Sequence, residues 1–178
     1  KTRDIFVFAC LTGQRYSCYR NMKIGDLSLN INNPIWSLYQ IKGNKRKKII
    51  VPLLPKAIEI ITKYINSDMP IECFVFNIQC NQKFNQNIKI VGELAGINSA
   101  VNKNRYSGVK RVELIKPKSS FITAHTSRRT FVTLNLLRGL QPQIIQNIVG
   151  HSSESMMKKY LQITEQNTIN EFNKKGSK

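Results

Sequence analysis

Three short runs rich in β-branched and aromatic residues, Leu27 to Ile31, Trp36 to Ile41 and Lys48 to Val51, alternate with two turn signals, Asn32-Asn33-Pro34 and Lys42-Gly43-Asn44. That pattern predicts three antiparallel strands. On both sides the sequence changes to helical spacing. Ile5 to Leu11 reads as an apolar helix stopped by Gly13, and a short helix starts around Ser17 and ends near Gly25. Pro55 opens a third, with Ala57, Ile58, Ile61, Tyr64 and Ile65 on one face. Asn81 to Ala95 is stopped by Gly96, and Thr123 to Arg138 by Gly139. Pro142 starts a helix whose Ile144, Ile145, Ile148 and Val149 are expected in the core, with Gly150 at its end. Glu154 to Tyr160 and Glu165 to Lys174 follow as short helices, and Tyr106 to Ile115 as a basic hairpin or ordered loop. The expected fold is α+β, mainly α-helical, with one small three-stranded antiparallel sheet. Because the chain opens inside an apolar helix, a preceding N-terminal domain is also expected.

A length of 178 residues suits one core. Charge narrows the partners: 28 Lys and Arg against 10 Asp and Glu give +18, which points to a polyanion, either nucleic acid or an acidic membrane face. A freely diffusing metabolic enzyme is not expected. No apolar run approaches the roughly 20 residues that span a bilayer. Cys10, Cys18, Cys73 and Cys80 show no ligand spacing, and His125 and His151 lie far from them in sequence. They read as free buried or half-buried thiols of a reducing, cytoplasmic compartment, with no metal and no cofactor.

The two histidines stand in basic company. His125-Thr-Ser-Arg128 sits in the first turn of a helix, where a spacing of three puts imidazole and guanidinium on one face. Twenty-two residues separate Arg128 from His151, which follows Gly150, and eight separate His151 from Tyr160. A lone histidine or tyrosine is more often structural than catalytic, so the constellation carries the argument. His125-Thr-Ser-Arg-Arg-Thr-Phe-Val-Thr-Leu through Ile148-Val-Gly-His151-Ser-Ser to Lys159-Tyr160 resembles the C-terminal signature of the tyrosine recombinases, as found in integrases of bacterial phages and conjugative transposons. Leu11-Thr-Gly-Gln-Arg15-Tyr-Ser resembles the family's first arginine motif, and Ile41-Lys42-Gly-Asn-Lys-Arg-Lys-Lys-Ile-Ile-Val-Pro-Leu its β-hairpin lysine motif. The resemblance covers about residues 5 to 165. One position departs from it: Cys18 stands where the family usually has Asp or Glu, three residues after the arginine.

The resemblance implies the tyrosine recombinase catalytic-domain fold and six catalytic positions, Arg15, Lys42, His125, Arg128, His151 and the nucleophile Tyr160. These residue types suit phosphodiester cleavage without a metal. A phenol of pKa about 10 is a weak nucleophile at neutral pH and needs help as it attacks. Arg15 and Arg128 can each donate paired hydrogen bonds to the non-bridging oxygens of the transition state. Lys42 is the candidate to protonate the leaving 5′ oxygen, His125 to exchange a proton with the nucleophile, and His151 to donate to a non-bridging oxygen. Five cations fall between Lys42 and Lys48, so Lys42 competes with plain phosphate clamps. Lys45, Arg46, Lys47 and Lys48 are expected on DNA backbone, as are Arg105, Lys110 and Arg111 of the basic segment Lys103 to Lys118, and Arg129.

The implied partner is double-stranded DNA, bound by a homotetramer that exchanges strands between two duplexes; a monomer fits the DNA-free state. The core is expected to run to about residue 162, and 163–178 to dock on a neighbouring protomer. The function implied is site-specific recombination, integration first. Xer-type dimer resolution would share the same residues. A non-catalytic DNA-binding relative would be expected to lose Tyr160 or an arginine.

Overall fold

The computed structural model describes residues 1–42, 45–107 and 110–150, and at 41–42, 45, 104–107 and 110–112 the backbone alone. His151, Tyr160, the two last helices expected from the sequence and the segment 163–178 lie outside the described residues.

Helix α1 spans Thr2–Thr12 and ends at Gly13, whose φ of 68° lets its N–H return to the Ala9 carbonyl. Arg15 caps the short helix α2, Tyr16–Arg20. A 3-10 turn at Ile24–Asp26, closed by Asp26 Oδ2 accepting from the Lys23 N–H at 2.9 Å, leads into the sheet. The sheet has the order β1-β2-β3 and is antiparallel throughout: Leu27–Ser28, Ile35–Lys42 and Lys45–Pro52. Helix α3 (Pro55–Thr62) and α4 (Asn81–Leu94) follow. A two-stranded hairpin, β4 (Ala100–Ser107) and β5 (Lys110–Pro117), then precedes α5 (Ala124–Leu137) and α6 (Pro142–Val149).

Two apolar clusters hold these elements. In the larger, Phe8 of α1 meets Trp36 of β2 at 5.9 Å and Phe76 edge-on at 5.1 Å between ring centroids, with Ile49, Val51, Ile60, Ile61 and Ile88 buried around them. The smaller lies between α5 and α6: Phe131, Val132, Leu136, Ile145 and Val149. Among the described residues no helix is long and apolar enough to cross a membrane.

The architecture expected from the sequence is the one observed, with local corrections. The first strand stops at Ser28 rather than Ile31. Ile31 is 99% exposed, because the Asn-rich turn before Pro34 carries it off the sheet and the Pro34 carbonyl accepts from Leu53 N–H instead. The third strand starts at Lys45, not Lys48: the lysine run pairs with Tyr39 to Lys42 as regular ladder. The second helix ends at Arg20, short of Gly25. The expected segment at Tyr106 to Ile115 is a hairpin of two eight-residue strands, anchored at its base by Lys103 Nζ over the Phe121 ring at 4.1 Å. On α6 only Ile145 and Val149 are fully buried, and Ile144 is exposed: a helix this short turns one narrow stripe inward. Ile58 and Ile65 are half-buried, packed at the margin of the larger cluster. Cys10, Cys18 and Cys73 are half-buried, while Cys80, just before α4, is exposed.

Candidate active site

The corner between α1 and α2 and the first turns of α5 build one cleft. Its start on α5 is well fixed. Thr123 and Thr126 form a reciprocal capping box, and the Asn85 side chain accepts from the Ala124 N–H at 2.7 Å. From there the helical spacing divides the basic motif. Ser127 and Arg128 fall on the buried face with Phe131 and Val132, and His125 and Arg129 on the exposed one.

Arg128 is 2% exposed. A guanidinium this deep needs an acceptor, and Nη1 donates to the Gly13 carbonyl at 2.9 Å. That carbonyl follows the last turn of α1, where the helix dipole favours a cation. The contact depends on close approach of α5 to Gly13: a Cβ there would overlap the Phe131 ring and fall 2.9 Å from Val149 Cγ1. Glycine is required both by its left-handed φ and by the packing.

Arg15 is exposed, and its Nη1 donates to Gln40 Oε1 of β2 at 2.8 Å. It stands between two recesses. The first, about 400 Å3, is shared with His125, Arg128, Thr123 and Asn85. The second, about 320 Å3, is shared with Cys18, Asp26, Tyr39 and Gln40. Burial raises the Cys18 thiol above its ordinary value, more than the Arg15 backbone and the nearby guanidiniums lower it, so at neutral pH Cys18 supplies no negative charge to Arg15.

His125 is held below its ordinary 6.5, first by partial burial and then by the charges of Arg129, Arg128 and Arg15. It is therefore mostly neutral at pH 7 and able to accept a proton. In the DNA-free protein its C2–H resonance should titrate with a midpoint below 6.5. Arg129→Gln should move that midpoint up, since removing a neighbouring positive charge favours imidazolium. A wild-type midpoint at or above 6.5 would contradict the arrangement.

The six sequence-predicted catalytic residues thus divide by position. Arg15, His125 and Arg128 meet at the cleft. Lys42 ends β2, paired with Lys45, and its side chain lies outside what the structure describes, as do His151 and Tyr160. Of the expected DNA-binding residues, Arg46, Lys47 and Lys48 are exposed on β3; Arg46 stacks over the Tyr39 ring at 4.0 Å. Strand alternation divides them: Lys47 pairs with Gln40, while Arg46 and Lys48 belong to the opposite face with Tyr39. Lys45, Arg105, Lys110 and Arg111 lie on strands with side chains outside the described set. Among the described residues no three metal-ligating side chains gather.

Sequence reasoning missed Gln14 and Gln40. Gln14 is completely buried; its Nε2 donates to the Ile148 carbonyl at 2.6 Å and to the Thr12 carbonyl at 3.2 Å. Gln40 Nε2 donates to Gln14 Oε1 at 3.3 Å and to the Val149 carbonyl at 3.4 Å. One signal was available for Gln40: by alternation it shares a face with the buried Trp36 and Leu38, so a polar side chain there had to find partners inside.

Known proteins resemble the chain in sequence and in fold. The model of the Phage integrase family matches residues 1–167. The chain is 25% identical over 174 residues to tyrosine recombinase XerD of Lacticaseibacillus casei, covering 98% of this chain and 54% of the relative. It is 26% identical over 172 residues to tyrosine recombinase XerC of Treponema denticola, covering 92% and 53%. The chain therefore spans about half the length of these relatives. Among solved structures it is similar in fold to the XerH site-specific recombinase bound to difH substrate (TM-score 0.59, 15% identity, 90% of this chain and 42% of that one). It is likewise similar to a Tn1549 transposon integrase in complex with circular intermediate DNA (TM-score 0.55, 20% identity, 88% and 52%).

Proposed function

Since the chain belongs to the phage integrase family, we propose that it is the catalytic part of a site-specific DNA recombinase that breaks and rejoins strands through a 3′-phosphotyrosine ester on Tyr160. The observation that supports this most is the meeting of Arg15, His125 and Arg128, drawn from segments far apart in the sequence, on one open cleft. Two guanidiniums and a neutral imidazole around an exposed cavity suit a phosphate that gains charge as it reacts.

In this reading the scissile phosphate sits between Arg15 and Arg128. The Tyr160 oxygen attacks phosphorus, His125 takes the phenolic proton, and the bond to the 5′ oxygen breaks. Lys42 gives that oxygen a proton, and His151 donates to a non-bridging oxygen. The reverse steps rejoin the strand, so the ester conserves the bond energy and no nucleotide cofactor is consumed. Double-stranded DNA in the cytoplasm is the substrate, held as a tetramer on two duplexes, with 163–178 docking between protomers. Lys45, Arg46, Lys47, Lys48, Arg105, Lys110, Arg111 and Arg129 supply sequence-independent phosphate contacts.

Integration and Xer-type dimer resolution differ in their DNA, not in these residues. The relatives named XerD and XerC keep the second reading beside the first. A nicked suicide substrate tests the shared chemistry. Incubation in EDTA should leave DNA covalently attached, with the linkage mapped by peptide sequencing to Tyr160. Strict dependence on added magnesium, or attachment at another residue, would overturn the proposal.

A further inference from the structure

Among the described residues, the Gln40 side chain ties Arg15 to the end of α6. Its Oε1 accepts from Arg15 Nη1 at 2.8 Å, and its Nε2 reaches the Val149 carbonyl and Gln14 Oε1. Gln14, with no exposure, carries the connection on to the Ile148 carbonyl. Gly150 completes the arrangement. Its φ is 69°, and a Cβ there would lie 2.7 Å from the Gln40 Cδ. The Gln40 amide is therefore packed against the turn that leads directly into His151.

We propose that Gln40 is a positioning residue. It orients the Arg15 guanidinium toward the phosphate seat and couples that orientation to the closed end of α6. This rests on the reading of Arg15 as a ligand of the scissile phosphate. The chemistry of the amide matters. A carboxylate in this place would hold Arg15 equally well but would offset its charge beside an anionic substrate. A neutral acceptor leaves the full positive charge for the phosphate. The amide N–H also gives what a carboxylate cannot, a donor to the carbonyls left over at the end of α6. Cys18, which borders the same recess and is kept protonated by burial, leaves this task to Gln40.

Gln40→Met tests the proposal, because methionine fills similar space without either hydrogen bond. On saturating suicide substrate the single-turnover cleavage rate should fall about ten- to a hundredfold, the scale of a misplaced catalytic group. The Kd for DNA should change by less than about threefold, since one phosphate contact among many is affected. Combined with Arg15→Lys, Gln40→Met should cost no more than Arg15→Lys alone, as expected if one acts through the other. In the DNA-free protein, nitrogen NMR should show the Arg15 Nη resonances resolved by hindered rotation, and collapsed in Gln40→Met. Arg15→Lys assigns those signals by removing them. Wild-type cleavage by Gln40→Met, full additivity with Arg15→Lys, or unchanged Arg15 resonances would each overturn the proposal. The NMR arm needs no DNA, so it decides the matter even if the wild-type chain forms no covalent adduct, a result that would sink the recombinase reading instead.

Discussion

Replacing Arg128 by Ala is expected to lower strand cleavage by about a hundred- to a thousandfold, the loss typical of one preorganised donor to a developing anion. DNA affinity should stay close to wild type, because most binding free energy comes from the many backbone phosphates. The substitution also leaves the Gly13 carbonyl without its partner at 2.9 Å, which should cost about 1–3 kcal/mol of stability. The assay therefore belongs well below the midpoint of thermal unfolding. Arg128→Lys separates the two effects: it keeps a cation but offers a point charge instead of a planar fork, and should retain the fold while cleaving at an intermediate rate. The joint change of Lys45, Arg46 and Lys47 to Gln should behave in the opposite way. It should weaken binding to every sequence and flatten the salt dependence by up to about three phosphate contacts, with little change in the rate on saturating DNA. An Arg128→Ala protein that cleaves like wild type would remove Arg128 from the phosphate seat.

Gly13→Ala carries the largest expected effect on stability. A left-handed backbone costs an alanine about 1–2 kcal/mol. Forcing the new methyl into the Phe131 ring and toward Val149 adds about 1–3 kcal/mol. At roughly 2–4 °C per kcal/mol for a chain of this size, Tm should fall by roughly 4–20 °C. Gly96→Ala is the natural control. Its φ is 74° but nothing lies within 4 Å of the new Cβ, so it should show the backbone cost alone. Equal Tm losses in the two variants would mean that α5 does not press on Gly13 as described. Cleavage by surviving Gly13→Ala protein should also drop, since the carbonyl that anchors Arg128 would shift with the helix end.

The parts of this site that could be read from the sequence are those carried by local pattern. A helical spacing of three and a stop glycine were enough to place His125 and Arg128 in the first turns of α5, though not on one face: Arg128 turns inward and His125 outward. Turn residues and β-branched runs were enough to place the sheet. Where the pattern was thin, the reading failed in consistent ways. Lys45 to Lys47 look like loop because cations are poor strand formers, yet a continuous ladder with Tyr39 to Lys42 draws them into β3. Leu29 and Ile31 look like strand, yet no partner remains beyond Ser28. Gln14 and Gln40 were illegible as site residues for a different reason. Their partners at Ile148 and Val149 are backbone carbonyls, which every residue possesses, so no side-chain signature marks them. Cys18, which departs from the resemblance, borders the same recess as the Gln40 amide that holds Arg15.

The bonds around Arg15 and Arg128 have a consequence for the order in which a nascent chain matures. Arg128 finds its acceptor 115 positions back, at Gly13, and the Gln14 amide finds its own 134 positions ahead, at Ile148. Chains emerge from the ribosome N-terminus first at about 5–20 residues per second. Arg15 thus leaves the ribosome several seconds before its surroundings have been synthesised. During that interval the chain is already cationic and able to stick to nucleic acid, but has no seat that could act on a phosphate. The long sequence separation of these contacts also slows folding. In the proposed reading the phosphate seat is therefore withheld until translation has passed the last turn of α6, and cleavage until it has also passed Tyr160.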